Sequence, residues 1–334
     1  MEKDLNLGHK LLKKRTLFSF LLAFVILYLM VTRINLSQLA AVFRRTDVAL
    51  YLAAFVVYYA AFPFRGLRFR IMLANNGCRA NVKDLTEIIF VSWFANCVVP
   101  AKLGDVYRAY LVRNNCRLPF STTLGSVFVE RVFDLFILYL MIGFTGLISF
   151  HGRIPPVMLT VLETAFILLG ILGAVLIGMK YAGRKMLGFL PGKAREWYNR
   201  FLDGTMASFR HNWQLFFLTM VIWILEGLSF YLVTLAIGLK LDFYLVIFVG
   251  LISALLTALP VTPAGLGLVE VAKMSILLFF GVDRSVAISA ALLDRLINYW
   301  SILLAGLPVY LTSAKVKQIR EETPVEGTDR HSYI

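Results

Sequence analysis

Six apolar stretches, at residues 16–31, 48–62, 120–150, 157–179, 213–237 and 286–311, approach or exceed the roughly 20 residues that a helix needs to cross a hydrocarbon layer of about 30 Å. Hydrophobic residues make up 59% of the chain and charged ones 16%, against about 45–50% and 25% in soluble domains. The sequence therefore reads as an integral membrane protein. No small-residue cleavage site follows the first stretch, so it reads as a span rather than a removable signal.

Two further apolar segments are interrupted. "NCVVPAKLGDVYRAYLV" (96–112) places Pro100, Lys102, Gly104, Asp105 and Arg108 within nine positions, and "TALPVTPAGLGLVEVAKMSIL" (257–277) repeats the arrangement with Pro260, Pro263, Gly265, Gly267, Glu270 and Lys273. Suppose each enters the membrane and returns to the same side, with the N-terminus cytoplasmic beside "HKLLKKR". Then 24 Lys and Arg fall inside, six fall outside, and Lys102, Arg131, Lys273 and Arg295 lie within membrane elements. If the segments crossed instead, the basic run "KYAGRKMLGFLPGKAREWYNR" would face outward. The expectation is an all-α membrane fold of six transmembrane helices plus two re-entrant helical hairpins, with both termini cytoplasmic and residence in the plasma membrane.

After the first hairpin comes "VFVERVFDLFIL", with Glu130, Arg131 and Asp134. After the second, 164 residues later, comes "ALLDRLINYWSIL", with Asp294, Arg295 and Asn298. Acid, arginine, then a carboxyl or amide at i+4 recurs, and position i+4 stands over i on a helix. This is an internal duplication. Three crossings per half would orient the copies oppositely, the inverted-repeat plan of many transporters. The repeats span about 11–150 and 156–312, in a single membrane domain. A basic cytoplasmic linker at 180–212 is expected to lie on the anionic leaflet. A polar tail occupies 313–334, and no soluble catalytic domain is expected on either side.

Charges near the bilayer centre persist only when paired or next to water, and non-helical backbone at that depth lines a cavity or is buried in protein. The prolines and glycines are therefore expected to break helices around a polar cavity. Free N–H groups at the resumed helices, with Lys102, Arg108 and Lys273, would favour an anion such as phosphate. Asp105 and Glu270 would neutralise these cations or meet a cationic part of a ligand, and Arg131 and Arg295 would supply planar donors. The competing reading makes the acid–arginine pairs staples that hold the halves together. Glu226 stands alone in "VIWILEGLSFYLV" and reads as a protonated, hydrogen-bonded carboxyl rather than a proton carrier.

Cys78, Cys97 and Cys116 lack metal-ligand spacing, and His9, His151, His211 and His331 are scattered, so neither a metal nor a cofactor is expected. The net charge of +14 sits in clusters beside the spans, as topology and lipid-contact signals rather than a nucleic-acid face. Phosphate-loop, GxSxG and HExxH patterns are absent, which argues against an enzyme.

The paired signatures "VVPAKLGDVYRAYLV" with "VFVERVFD", and "LPVTPAGLGLVEVA" with "LLDRLIN", resemble the lysylphosphatidylglycerol synthase transmembrane family, also called UPF0104. The resemblance implies flipping of an anionic or aminoacylated phospholipid, or of a polyprenyl-linked head group. The alternative it allows is an accessory subunit that recruits a separate glycosyl- or aminoacyl-transferase, and a homodimer is compatible with either. By resemblance the site comprises Pro100, Gly104, Asp105, Arg108, Glu130, Arg131, Pro263, Gly265, Gly267, Glu270, Asp294 and Arg295. Asp105 departs from the more usual Glu.

Overall fold

The computed structural model describes residues 36–99, 102–150, 156–181, 191–257 and 262–317. Among these the fold is helical throughout, without strands. The helices are α1 (Leu36–Arg45), α2 (Val48–Ala74), α3 (Val82–Val98), α4 (Leu103–Cys116), α5 (Phe120–Ser149), α6 (Pro156–Tyr181), α7 (Gly192–Ser208), α8 (Asn212–Ala236), α9 (Phe243–Leu256), α10 (Leu268–Phe279), α11 (Arg284–Arg295) and α12 (Ser301–Thr312). A π-helical turn, Leu296–Trp300, joins α11 to α12 as one continuous rod.

Among the described residues five segments are long and apolar enough to cross a membrane: Val48–Ala74, Phe120–Ser149, Leu162–Tyr181, Asn212–Ala236 and Arg284–Thr312. They coincide with five of the six expected spans. The sixth, at 16–31, lies outside the described residues. Aspartates start several helices by accepting from otherwise orphaned N–H groups. Asp47 takes Ala49 and Leu50, Asp242 takes Leu245, and Asp283 takes Ser285 and Val286.

The interrupted segments form two helix pairs, α3 with α4 and α9 with α10, whose members hold 12 to 17 residues. At 1.5 Å per residue these reach only about 18–25 Å, short of the hydrocarbon thickness. The turns between them use left-handed backbone: Lys102 has φ 52°, Ala264 46°, Gly265 71° and Gly267 86°.

The two halves pack reciprocally. α2 lies along α8, α3 of the first pair rests on α12, and α9 of the second rests on α5. Glycines permit both cross-contacts. A Cβ on Gly306 would come 2.6 Å from Phe94, and one on Gly146 would come 3.0 Å from Phe248. Interhelical hydrogen bonds join distant parts of the chain, from Tyr51 Oη to Leu293 O at 2.8 Å, Ser229 Oγ to Ala54 O at 2.9 Å, and Tyr299 Oη to Cys97 O at 3.1 Å. Such bonds substitute for the hydrophobic drive that lipid does not supply between helices.

α7, within the expected linker, packs one face closely on α5. Gly204 and Gly125 make this possible, because a Cβ on either would lie within 2.4 Å of Thr122 O or Phe201 O. Asn76, just past α2, ties the seam together by donating from Nδ2 to Ser126 Oγ on α5 at 3.2 Å and to Ser208 Oγ on α7 at 3.1 Å. The opposite face, with Lys193, Arg195 and Trp197, is exposed.

Candidate functional site

A cavity of about 370 Å³ opens between the two helix pairs and the spans α2, α5, α8 and α11. Its size suits a polar head group rather than a whole lipid, since pockets for small ligands begin at about 300 Å³. The duplicated charges meet there, and the two copies make matching contacts.

In the first copy Arg131 Nε lies 3.2 Å from Asp105 Oδ2, and in the second Arg295 Nε lies 2.8 Å from Glu270 Oε1. Arg108 Nη1 pairs with Glu130 at 3.0 Å, and Lys273 pairs with Asp294. Arg131 Nη1 donates to Asp134 at 3.2 Å, and Arg295 Nη1 donates to Asn298 at 3.3 Å. Glu130 and Arg131 thus have their counterparts in Asp294 and Arg295, and the hairpin residues Asp105 and Arg108 in Glu270 and Lys273. The left-handed positions that open α4 and α10, Lys102 and Gly267, correspond in the same way.

The first copy holds an additional arginine, on α2. Arg68 Nη1 donates to Asp134 at 2.7 Å and to Thr219 Oγ1 at 2.8 Å, and Arg68 Nη2 lies 3.3 Å from Glu130. One turn away, Arg65 pairs with Glu226 and stacks 4.5 Å above the Trp93 ring. Glu226 is therefore not alone, as the sequence suggested. Its partner lies 161 residues earlier, in a stretch that reads as topology signal. The i, i+3 spacing of Arg65 and Arg68 was the available sign that both face inward. Arg68 and Arg108 are at most 1% exposed, so their pairs are desolvated on both sides, and removal of one partner of such a pair costs about 3–5 kcal/mol.

Of the residues singled out from sequence, Lys102, Asp105, Glu130, Arg131, Lys273, Asp294 and Arg295 line the cavity. Gly104, Arg108, Gly265, Gly267 and Glu270 are buried behind that wall. Pro100 lies outside the described residues, as does Pro260, and for Pro263 only its place in the turn Pro263–Gly265 is described.

The breaks also differ from expectation in their hydrogen bonding. Gly104 N donates to Asn96 Oδ1 at 2.8 Å, and Gly267 N donates to Glu270 Oε2 at 2.8 Å. One N–H at each break, that of Gly104 and that of Gly267, is thus already engaged by a side chain and does not greet an anion. Gly104 has a packing reason as well, since a Cβ there would sit 2.1 Å from Ser92 O.

Lys102 differs from the other cations of the wall. It forms no ion pair among the described residues, and each of the others does. Its left-handed backbone is unusual for a residue with a side chain and costs about 1–2 kcal/mol.

The model of the lysylphosphatidylglycerol synthase transmembrane region matches residues 16–306. The chain belongs to this family. It is similar to a UPF0104 membrane protein of Methanocaldococcus jannaschii, 35% identical over 64% of this chain and 91% of that one. A UPF0104 membrane protein of Pyrococcus horikoshii is 22% identical over 81% of this chain and 89% of its own. The glycosyltransferase AglD of Haloferax volcanii is 28% identical over 94% of this chain, which spans only 57% of that relative. No solved structure matches. The family match covers both duplicated charge clusters and both breaks, so the paired cavity falls within the shared region.

Proposed function

We propose that this membrane protein moves a lipid with an anionic head group, a phospholipid or a lipid-linked phosphate, between the leaflets of the plasma membrane. The observation that carries the reading is Lys102, a cation without an ionic partner among the described residues, in a wall where every carboxylate is paired. A phosphate entering beside it breaks no existing ion pair and neutralises a charge that is costly to leave uncompensated at depth. Arg131 faces the same space with 29% of its side chain exposed, and beyond its bonds to Asp105, Glu130 and Asp134 it keeps one Nη1 hydrogen for a phosphate oxygen.

The finer architecture belongs to this proposal. The two short helix pairs are re-entrant, the halves form an inverted repeat with the cavity between them, and both termini are cytoplasmic. The reciprocal packing of α3 on α12 and α9 on α5 supports that plan, as do helix lengths that fall short of a crossing. Reciprocal rocking of the hairpins would open the cavity to either leaflet in turn.

A second reading is favoured by the similarity to AglD, a protein named as a glycosyltransferase and longer than this chain. In it the bundle binds a lipid for a separate transferase and does not move it. Reconstitution with fluorescent phosphatidylglycerol, quenched from outside, tests both. Translocation requires loss of the protected inner-leaflet signal at a rate above that of protein-free vesicles. Binding without accelerated loss supports the accessory reading, and neither binding nor movement rejects both.

A further inference from the structure

The geometry points to a head group that is acceptor-rich and carries no ammonium, so that the cavity takes unmodified anionic lipid and rejects the aminoacylated form. This inference deepens the translocation reading and rests on it.

It follows from what the cavity leaves unused. Asp105, Glu130, Asp134, Glu226, Glu270 and Asp294 each have at least one Lys or Arg within ion-pair distance. Among the described residues no carboxylate around the cavity is left for an incoming ammonium. Donors are in the opposite condition. Tyr58 Oη, Arg65 Nη1, Trp223 Nε1 and Thr262 Oγ1 have no hydrogen-bond partner among the described residues. All four residues line the cavity, and each is at least nine-tenths buried. Buried donors of this kind cost free energy until an acceptor reaches them. Hydroxyl oxygens of Tyr58 and Thr262 can accept as well, but a neutral acceptor compensates a buried ammonium far less than a carboxylate does.

Charge leads to the same conclusion. Cations of the wall exceed its carboxylates by one, the excess being Lys102. A phosphodiester of charge −1 brings the site to neutrality. An ester-linked lysine adds two ammonium groups beside Lys102 and Arg131, where like charges repel in a poorly screened space.

The test is binding of short-chain phosphatidylglycerol and lysyl-phosphatidylglycerol to the purified full chain in neutral detergent, followed by native mass spectrometry. Phosphatidylglycerol is expected to bind at least tenfold more tightly, and Lys102→Asn, which suits a left-handed backbone, should shrink that ratio. Equal or tighter binding of the lysyl lipid overturns the inference and leaves translocation of an anionic lipid standing. Failure of both lipids to bind brings down the translocation reading as well. Tyr58→Phe removes a hydroxyl with no partner among the described residues and should leave folding intact, while weakening phosphatidylglycerol binding three- to tenfold. Unchanged affinity in that variant would overturn the role given to the donors.

Discussion

Arg295→Lys separates a staple from a ligand-binding arginine. Arg295 spends all its described donors on the protein. Its Nε holds Glu270 at 2.8 Å, Nη1 holds Asn298 at 3.3 Å, and Nη2 holds Ala264 O at 3.1 Å in the turn before α10. Lysine keeps the positive charge but, as a compact ammonium on a flexible stem, cannot span the three. The pair with Glu270 survives, and the bonds to Asn298 and Ala264 are lost. Each of the two lost bonds removes about 1 kcal/mol, and Ala264 and Asn298 stay partly exposed to solvent, so the variant should be destabilised by about 2 kcal/mol. The assay is a reversible SDS titration of helicity in mixed micelles, run beside lipid binding per folded molecule. A midpoint equal to that of the parent, with binding lost, would refute the assignment of Arg295 to scaffolding. Arg131 likewise holds carboxylates, those of Asp105, Glu130 and Asp134. Its side chain is 29% exposed against 3% for Arg295, which weakens each pair, so Arg131→Lys should shift the balance from stability toward binding. Its stability loss should be the smaller and its loss of phosphatidylglycerol binding the larger.

Further outcomes are expected from the same structure. Gly104→Ala should impair folding by more than 1 kcal/mol, because its Cβ would overlap Ser92 O and the α3–α4 pair would have to separate; a parent-like SDS midpoint would contradict this. Cysteines at Arg113 and Arg284, both exposed, should label from opposite faces of sealed vesicles, cytoplasmic and external respectively; labelling from one face would overturn the inverted repeat. Lys315 clasps Glu87 at 2.6 Å and Asp84 at 2.9 Å, and although burial opposes its charge, these carboxylates outweigh that and raise its pKa. A raised lysine pKa contributes stability that is complete below the unfolded value of about 10.4. The penalty of Lys315→Met should therefore be present at pH 8 and fade as pH rises through the raised value; a penalty that persists unchanged there would contradict the clasp.

The apolar runs made the spans legible, because hydrocarbon thickness sets a length that composition alone can meet. The duplication made the acid–arginine pairs legible, since two copies at 164 residues' separation carry the same residue types in the same order. Arg65 and Arg68 were hidden because α2 continues to Ala74, beyond the apolar run. A cluster of arginines after such a run has the same appearance whether it meets water or a carboxylate 66 or 161 residues away. Burial of the Gly104 and Gly267 N–H groups under side-chain caps was likewise out of reach, as it depends on where Asn96 and Glu270 fall after the chain turns. The inward face of α7 is defined by close glycine contacts with α5, which a basic, moderately amphipathic sequence does not reveal.

The central claim is that the paired cavity receives an anionic head group beside Lys102. A cryo-electron microscopy structure of the full chain in nanodiscs of phosphatidylglycerol tests it most directly. The account predicts phosphate density within hydrogen-bond distance of Lys102 and Arg131, with the glycerol oxygens toward Tyr58 and Trp223, and loss of that density in Lys102→Asn. Head groups resolved only on the outer surface of the bundle, with the cavity holding water alone, would contradict it.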